Sequence, residues 1–156
     1  MEQGRETLAA WHLRSAWRIG DVTIRRWTNG RDSAINVTVT SPLCSTNVAG
    51  AAAKAGDALD KAVKRKLRET AEDCRREGQV FLPFALEILG GLHQGAIMQA
   101  KLFASARARY KGLEEGKVTG QLFGRLSLTL MRANALMLSM RCQDADFPLP
   151  HIDGIE

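Results

Sequence analysis

From residue 21 the chain alternates. Val22 and Ile24 are interleaved with Asp21, Thr23 and Arg25; Ile35, Val37 and Val39 are interleaved with Asn36, Thr38 and Thr40. Period-two runs rich in β-branched residues predict strands with one apolar and one polar face. Asn29-Gly30 between them is the strongest short-range hairpin signal, although Arg31, Asp32 and Ser33 leave a longer loop open. Ser41-Pro42 ends the second strand.

The period then changes. Residues 48–56 are small and Ala-rich, a loop running into a helix. Over 57–77, Leu59, Val63, Leu67, Ala71 and Cys74 recur every three or four residues, which predicts a helix stopped at Glu77-Gly78. The apolar run 79–89 is short and bounded by glycines, so it reads as a buried strand. Pro83 requires a bulge or an edge position there. After Gly90-Gly91 come two helices. The first covers 94–113 with Ile97, Leu102 or Phe103, Ala106 and Tyr110 inward. The second covers 119–141 with Thr119 as N-cap and a stripe of Leu122, Phe123, Leu126, Leu130, Met137 and Met140. Residues 6–15 read as one short helix with little apolar periodicity, and an abrupt start suggests that part of a domain precedes residue 1. These elements give an α+β plan: a small mixed sheet, hairpin plus at least one further strand, flanked by helices.

Composition narrows the class. The chain has 156 residues, 45% hydrophobic and 25% charged, which suits one domain with a real core. The net charge of +5 is unevenly spread. Arg14, Arg18, Arg25, Arg26 and Arg31 form one cluster; Lys61, Lys64, Arg65, Lys66, Arg68, Arg75 and Arg76 form another. The end, 143–156, is acidic and proline-containing and reads as a loose tail. Two basic clusters suggest a polyanionic partner. Three well-separated cysteines without a CxxC pair point to a reducing, intracellular compartment, with the nucleus a candidate for a DNA partner, and argue against structural zinc. The most apolar stretch, 122–140, contains Arg125, Arg132 and Asn134, so no membrane span is expected. His12, His93 and His151 lack companions and read as surface or packing residues.

Across a two-residue Asn29-Gly30 turn, Thr23 should face Asn36 and Asp21 should face Thr38, making Asp21 and Asn36 diagonal neighbours on one face. Oxygen donors at that separation suit a hard cation such as Mg²⁺ or Mn²⁺, and the following helix offers Lys61, Lys64 and Lys66 for a phosphate.

Several spaced motifs go further. They are Gly20-Asp21-Val22, then Asn36-Val37-Thr38-Val39-Thr40-Ser41-Pro42-Leu43, then Lys66, Cys74 and Gly78. Phe81-Leu82-Pro83-Phe84-Ala85-Leu86-Glu87 with Gly90-Gly91 follow, and then Gly124-Arg125-Leu126-Ser127-Leu128 and Arg132-Ala133-Asn134-Ala135. In this order, from about residue 18 to residue 140, they resemble the domain downstream of reverse transcriptase in some eukaryotic non-LTR-type retroelement proteins. That domain is itself similar to restriction-type PD-(D/E)XK nucleases. The resemblance implies a restriction-endonuclease-like domain over 1–142, truncated at its N-terminus, with DNA as partner and a reverse transcriptase in a longer parent. It implies Asp21 as the first metal-binding aspartate and Lys66 as the catalytic lysine moved onto the helix. Glu87 becomes a further ligand or a structural anchor. Asn36 stands where the family has its second carboxylate, so magnesium binding and cleavage should be weak or lost. The DNA contacts would be Arg25, Arg26, Arg31, Lys61, Lys64 and Arg65. Three functions follow as expectations: a Mg²⁺-dependent DNA endonuclease, a dead remnant that still binds nucleic acid, or a helix-mediated interaction module using 94–141.

Overall fold

The computed structural model describes residues 20–143. The expectations for the helix over 6–15, for Arg14, Arg18, His12 and His151, and for the tail beyond Gln143 fall outside the described residues. The chain divides into two compact units, residues 1–99 and 100–156, where the sequence suggests one domain through residue 142.

In the first unit, β1 (Val22–Thr28), β2 (Arg31–Thr40) and β3 (Val80–Glu87) form a three-stranded sheet in that order. β1 and β2 are antiparallel; β2 and β3 are parallel. Between β2 and β3 lie a short helix α1 (Val48–Ala53), where a loop is expected from sequence, and the crossover helix α2 (Asp57–Arg76). The α+β class and the small mixed sheet agree with the sequence reading.

The hairpin turn is the two-residue Asn29-Gly30 loop, closed by the Thr28–Arg31 pair. Both turn residues have positive φ, 51° and 75°, as the favoured hairpin turn requires. The register beyond it differs from expectation. Ile24 faces Ser33 while Thr28 faces Arg31, so three β1 residues lie opposite Asp32 alone. This bulge is held by Arg26, whose φ is +51° and whose backbone N–H donates to Asp32 Oδ1 at 2.9 Å. The shift pairs Thr23 with Ala34 instead of Asn36.

β3 lies at the sheet edge, which accommodates Pro83 as expected. α2 packs on the face bearing Ala85 and Thr38: Leu59, Val63 and Ala85 form one buried cluster, and Thr38 is 9% exposed beside Ala85. The face expected to be apolar is only partly covered: Ile35, Phe84 and Leu86 are buried on it, but its valines are not. Val22, Val37 and Val39, expected inward, are 46–52% exposed. Small side chains at Ala34, Thr38 and Ala85 let the helix approach, and that outweighs the hydropathy of the valines. Helix α2 also turns differently. Its sheet-facing stripe is Leu59, Val63, Lys66, Thr70 and Cys74, whereas Leu67 is 42% exposed. Gly78, at φ +71°, ends the helix, and Gln79 N–H donates to the Cys74 carbonyl at 2.8 Å.

Two helices follow, α3 (Gln94–Lys111) and α4 (Glu115–Gln143). The buried row of α3 is Ala96, Ala100, Ala104 and Ala108; Tyr110, expected inward, is exposed, and of the alternatives Leu102 and Phe103 only Phe103 is half-buried. In the second unit Ala104 and Ala108 pack with Val118 and Leu122. Gly112, at φ +64°, stops α3. Helix α4 starts four residues before the expected Thr119 cap, with Val118 N–H donating to the Glu114 carbonyl at 3.1 Å. Val118 has to be helical to reach the alanine row. No described helix is long and apolar enough to cross a membrane.

Candidate functional site

The bulge decides the geometry. β1–β2 partners run Ile24–Ser33, Thr23–Ala34 and Val22–Ile35. The ladder stops at Val22–Ile35; Gly20 and Asp21 form a bend before β1, and Asp21 reaches β2 by its side chain, beside Asn36. Gly20 makes this approach possible: a Cβ there would stand 2.8 Å from the Ile35 carbonyl oxygen and 3.2 Å from Ala34 Cβ. Asp21 Oδ2 accepts the Val37 backbone N–H at 2.7 Å. Asn36 Oδ1 accepts from the Thr38 hydroxyl at 3.4 Å. The sequence motifs include Gly20 and Thr38 but do not give their roles, the close approach at Gly20 and the Thr38 hydroxyl on Asn36.

The crossover helix covers the Thr38 face of the sheet. α2 runs antiparallel to β2 and β3, because it returns the chain between parallel neighbours. Val63 packs at the level of Ala85. Lys66, three residues on and about 4.5 Å further along the helix axis, comes to the level of Pro83 and Phe84. Pro83 is the register partner of Asn36. Lys66 is a quarter exposed, and its Nζ lies 3.6 Å from Glu69 Oε2. The ammonium thus lies against Glu69, one turn further along α2.

Glu87 does not join them. It pairs with Thr40, four residues beyond Asn36 on β2, which is about 13 Å along the strand. Its N–H donates to the Gly91 carbonyl at 2.7 Å, and a Cβ at Gly91 would stand 2.7 Å from Glu87 Oε2. The carboxylate packs on the following turn, in keeping with the structural-anchor alternative, and shares no cation with Asp21.

The donor set fits a catalytic magnesium poorly. Asp21 is one carboxylate, already accepting a backbone N–H, and Asn36 adds a neutral oxygen that already accepts from Thr38. Hard cations take their affinity mainly from carboxylate charge. Among the described residues no group of three or more His, Cys, Asp or Glu side chains could hold a metal.

The proposed DNA contacts separate into two kinds. Arg25, Arg26 and Arg31 are exposed at the bulge and turn of the hairpin. On α2, Lys61 pairs with Asp57 at 2.7 Å and Arg65 with Glu69 at 3.9 Å, while Lys64 is exposed. Arg75 pairs with Glu72 at 2.8 Å, and Arg76 pairs with Asp73. Much of the helix charge is therefore neutralised by neighbours one turn away. Lys54 lies 2.7 Å from Asp60 and holds its carboxyl below the usual range. His93 is half-buried; its Nδ1 accepts the Gly95 N–H at 3.1 Å and its Nε2 lies 3.7 Å from Asp60, a carboxylate companion that the sequence does not suggest. No family model, curated protein or solved structure matches the chain.

Proposed function

We propose that the chain is a degenerate restriction-nuclease-like domain that binds DNA and has lost efficient metal-dependent cleavage. The observation that carries this reading is the Asp21 carboxylate held on the Val37 N–H, next to Asn36 on the strand that α2 follows. The hairpin, crossover helix and parallel third strand support a restriction-endonuclease-like core, and the motif order supports a retroelement origin beside a reverse transcriptase. Asn36 in place of a carboxylate, and Glu87 about 13 Å away along the strand, favour binding over hydrolysis. DNA would be held by phosphate contacts from the exposed hairpin arginines, with Lys66 on the crossover helix as a further cation.

Anisotropy with a short labelled duplex tests this over a salt series. Binding should weaken steeply with salt, and replacing Arg25, Arg26 and Arg31 by Ala should reduce the log–log slope by roughly 2–3, as about 0.9 is lost per phosphate contact. Absence of binding at low salt, or an unchanged slope in the triple variant, contradicts the reading. Plasmid nicking in Mg²⁺ or Mn²⁺ should not differ between the wild type and Asp21→Ala.

A further inference from the structure

The seam between α3 and α4 is made of small side chains, and it does not close completely. Ala104 and Ala108 pack with Val118 and Leu122. Beside this contact lies a cleft of about 200 Å³. Buried Ala104 and Val118 form its floor. Phe103 and Arg107 of α3 and Gln121 and Arg125 of α4 line the rest. These positions recur at spacings of three and four on each helix, so the cleft sits between two facing helix sides. All of them belong to the second unit.

The lining has the chemistry of a site for a small anion with a flat apolar body. Arg107 and Arg125 are exposed, and among the described residues neither has an ion-pair partner. On α2, by contrast, most cations have a carboxylate one turn away. Two uncompensated guanidiniums on one cleft favour an anion, and their forked donors suit phosphate. The surrounding charge has the same sign. Residues 100–143 hold eight Lys or Arg against Glu114 and Glu115, and the Ser105 hydroxyl donates to Glu115 Oε2 at 3.2 Å. Half-buried Phe103 adds an aromatic wall. Gln121 adds an amide that both donates and accepts. An aromatic ring with an amide is the pair of contacts that holds an unstacked base. An inorganic anion would use the arginines alone, and an aliphatic carboxylate would make no use of the amide. The volume is below the roughly 300–1,000 Å³ of sites for drug-sized ligands, so the cleft admits one small group and no extended cofactor.

We propose that this cleft binds a single unstacked nucleotide, with its phosphate on Arg107 and Arg125 and its base against Phe103 and Gln121. Titration calorimetry of the full chain with dAMP tests it, whether or not the hairpin binds duplex DNA. dAMP should bind with a dissociation constant below about 1 mM. Inorganic phosphate, with no base to stack, should bind about tenfold more weakly. Arg107→Gln with Arg125→Gln should weaken dAMP about tenfold or more with unchanged circular dichroism. Arg109→Gln removes the same charge from α3 outside the cleft and should leave dAMP binding as it is. Phe103→Leu should weaken dAMP but not inorganic phosphate. A short single-stranded DNA distinguishes the two sources of such a nucleotide. Displacement of bound dAMP assigns the cleft to a nucleotide within a strand, and retention of dAMP assigns it to a free nucleotide. Absence of dAMP binding at that concentration overturns the proposal. So does inorganic phosphate binding as tightly as dAMP, or an arginine pair variant as tight as the wild type, a readout that stands even where Phe103→Leu fails to fold.

Discussion

Gly20 and Asp21 act as a unit. The glycine lets the chain press against Ile35 and Ala34, and the aspartate ties that approach to the Val37 N–H. Gly20→Ala forces a Cβ to 2.8 Å from a backbone oxygen, an overpacking that costs about 1–3 kcal/mol. The urea midpoint should fall accordingly, and the Asp21 contact to Val37 should be lost, visible as faster exchange of that amide. Cys74 offers a pH-dependent counterpart. Burial, with a smaller push from Asp73, raises its thiol above the usual range. A folded-state value above the unfolded one binds the proton more tightly in the native protein. That stability is fully present below the unfolded thiol value of about 8.5 and is lost as pH rises through the folded value. The urea midpoint should therefore decline above about pH 8.5, and Cys74→Val should flatten that decline.

At the scale of elements, the hairpin and the crossover helix were legible to different degrees. The Asn29-Gly30 signal and the period-two runs identify both strands and their turn because those signals are local. The bulge was not legible, since Arg26 carries no sequence mark of its left-handed backbone, and two extra residues move Val22 from Val37 to Ile35. The helix-facing side of the sheet was also hidden. Hydropathy favours Val22, Val37 and Val39, whereas close approach of a helix selects Ala34, Thr38 and Ala85. The buried row of α3 escaped for the same reason: alanines at four-residue spacing carry little hydrophobic signal but let helices meet. Lys66 is the most telling case, a cation on the inner stripe where Leu67 fits the apolar pattern. Lys66→Met should leave the fold as stable or more stable, since a half-buried ammonium is replaced by an apolar chain of similar length. The same change should weaken duplex binding at low salt. A destabilised variant with unchanged binding would give Lys66 a purely packing role.

The whole molecule joins a sheet-based unit, which carries the candidate site, to a helical unit whose apolar side chains lie outside. Its net charge of +5 says little about the local picture, because exposed ion pairs along α2 add little stability yet neutralise much of that helix. The proposed DNA binding would therefore rest chiefly on the exposed arginines of the hairpin. Alanine at Arg25, Arg26 and Arg31 together should therefore lower affinity more than alanine at Lys61, Lys64 and Arg65. Titrations of both triple variants at one salt concentration check this ranking.

The most direct measurement is Mn²⁺ binding, followed by electron paramagnetic resonance, to the wild type, Asn36→Asp and Asn36→Asp/Asp21→Ala. With the Asp21 carboxylate held on the Val37 N–H beside position 36, the single change should tighten binding at least tenfold, and removing Asp21 should abolish the gain. Equal Mn²⁺ affinity in all three proteins would contradict a shared site at these two positions.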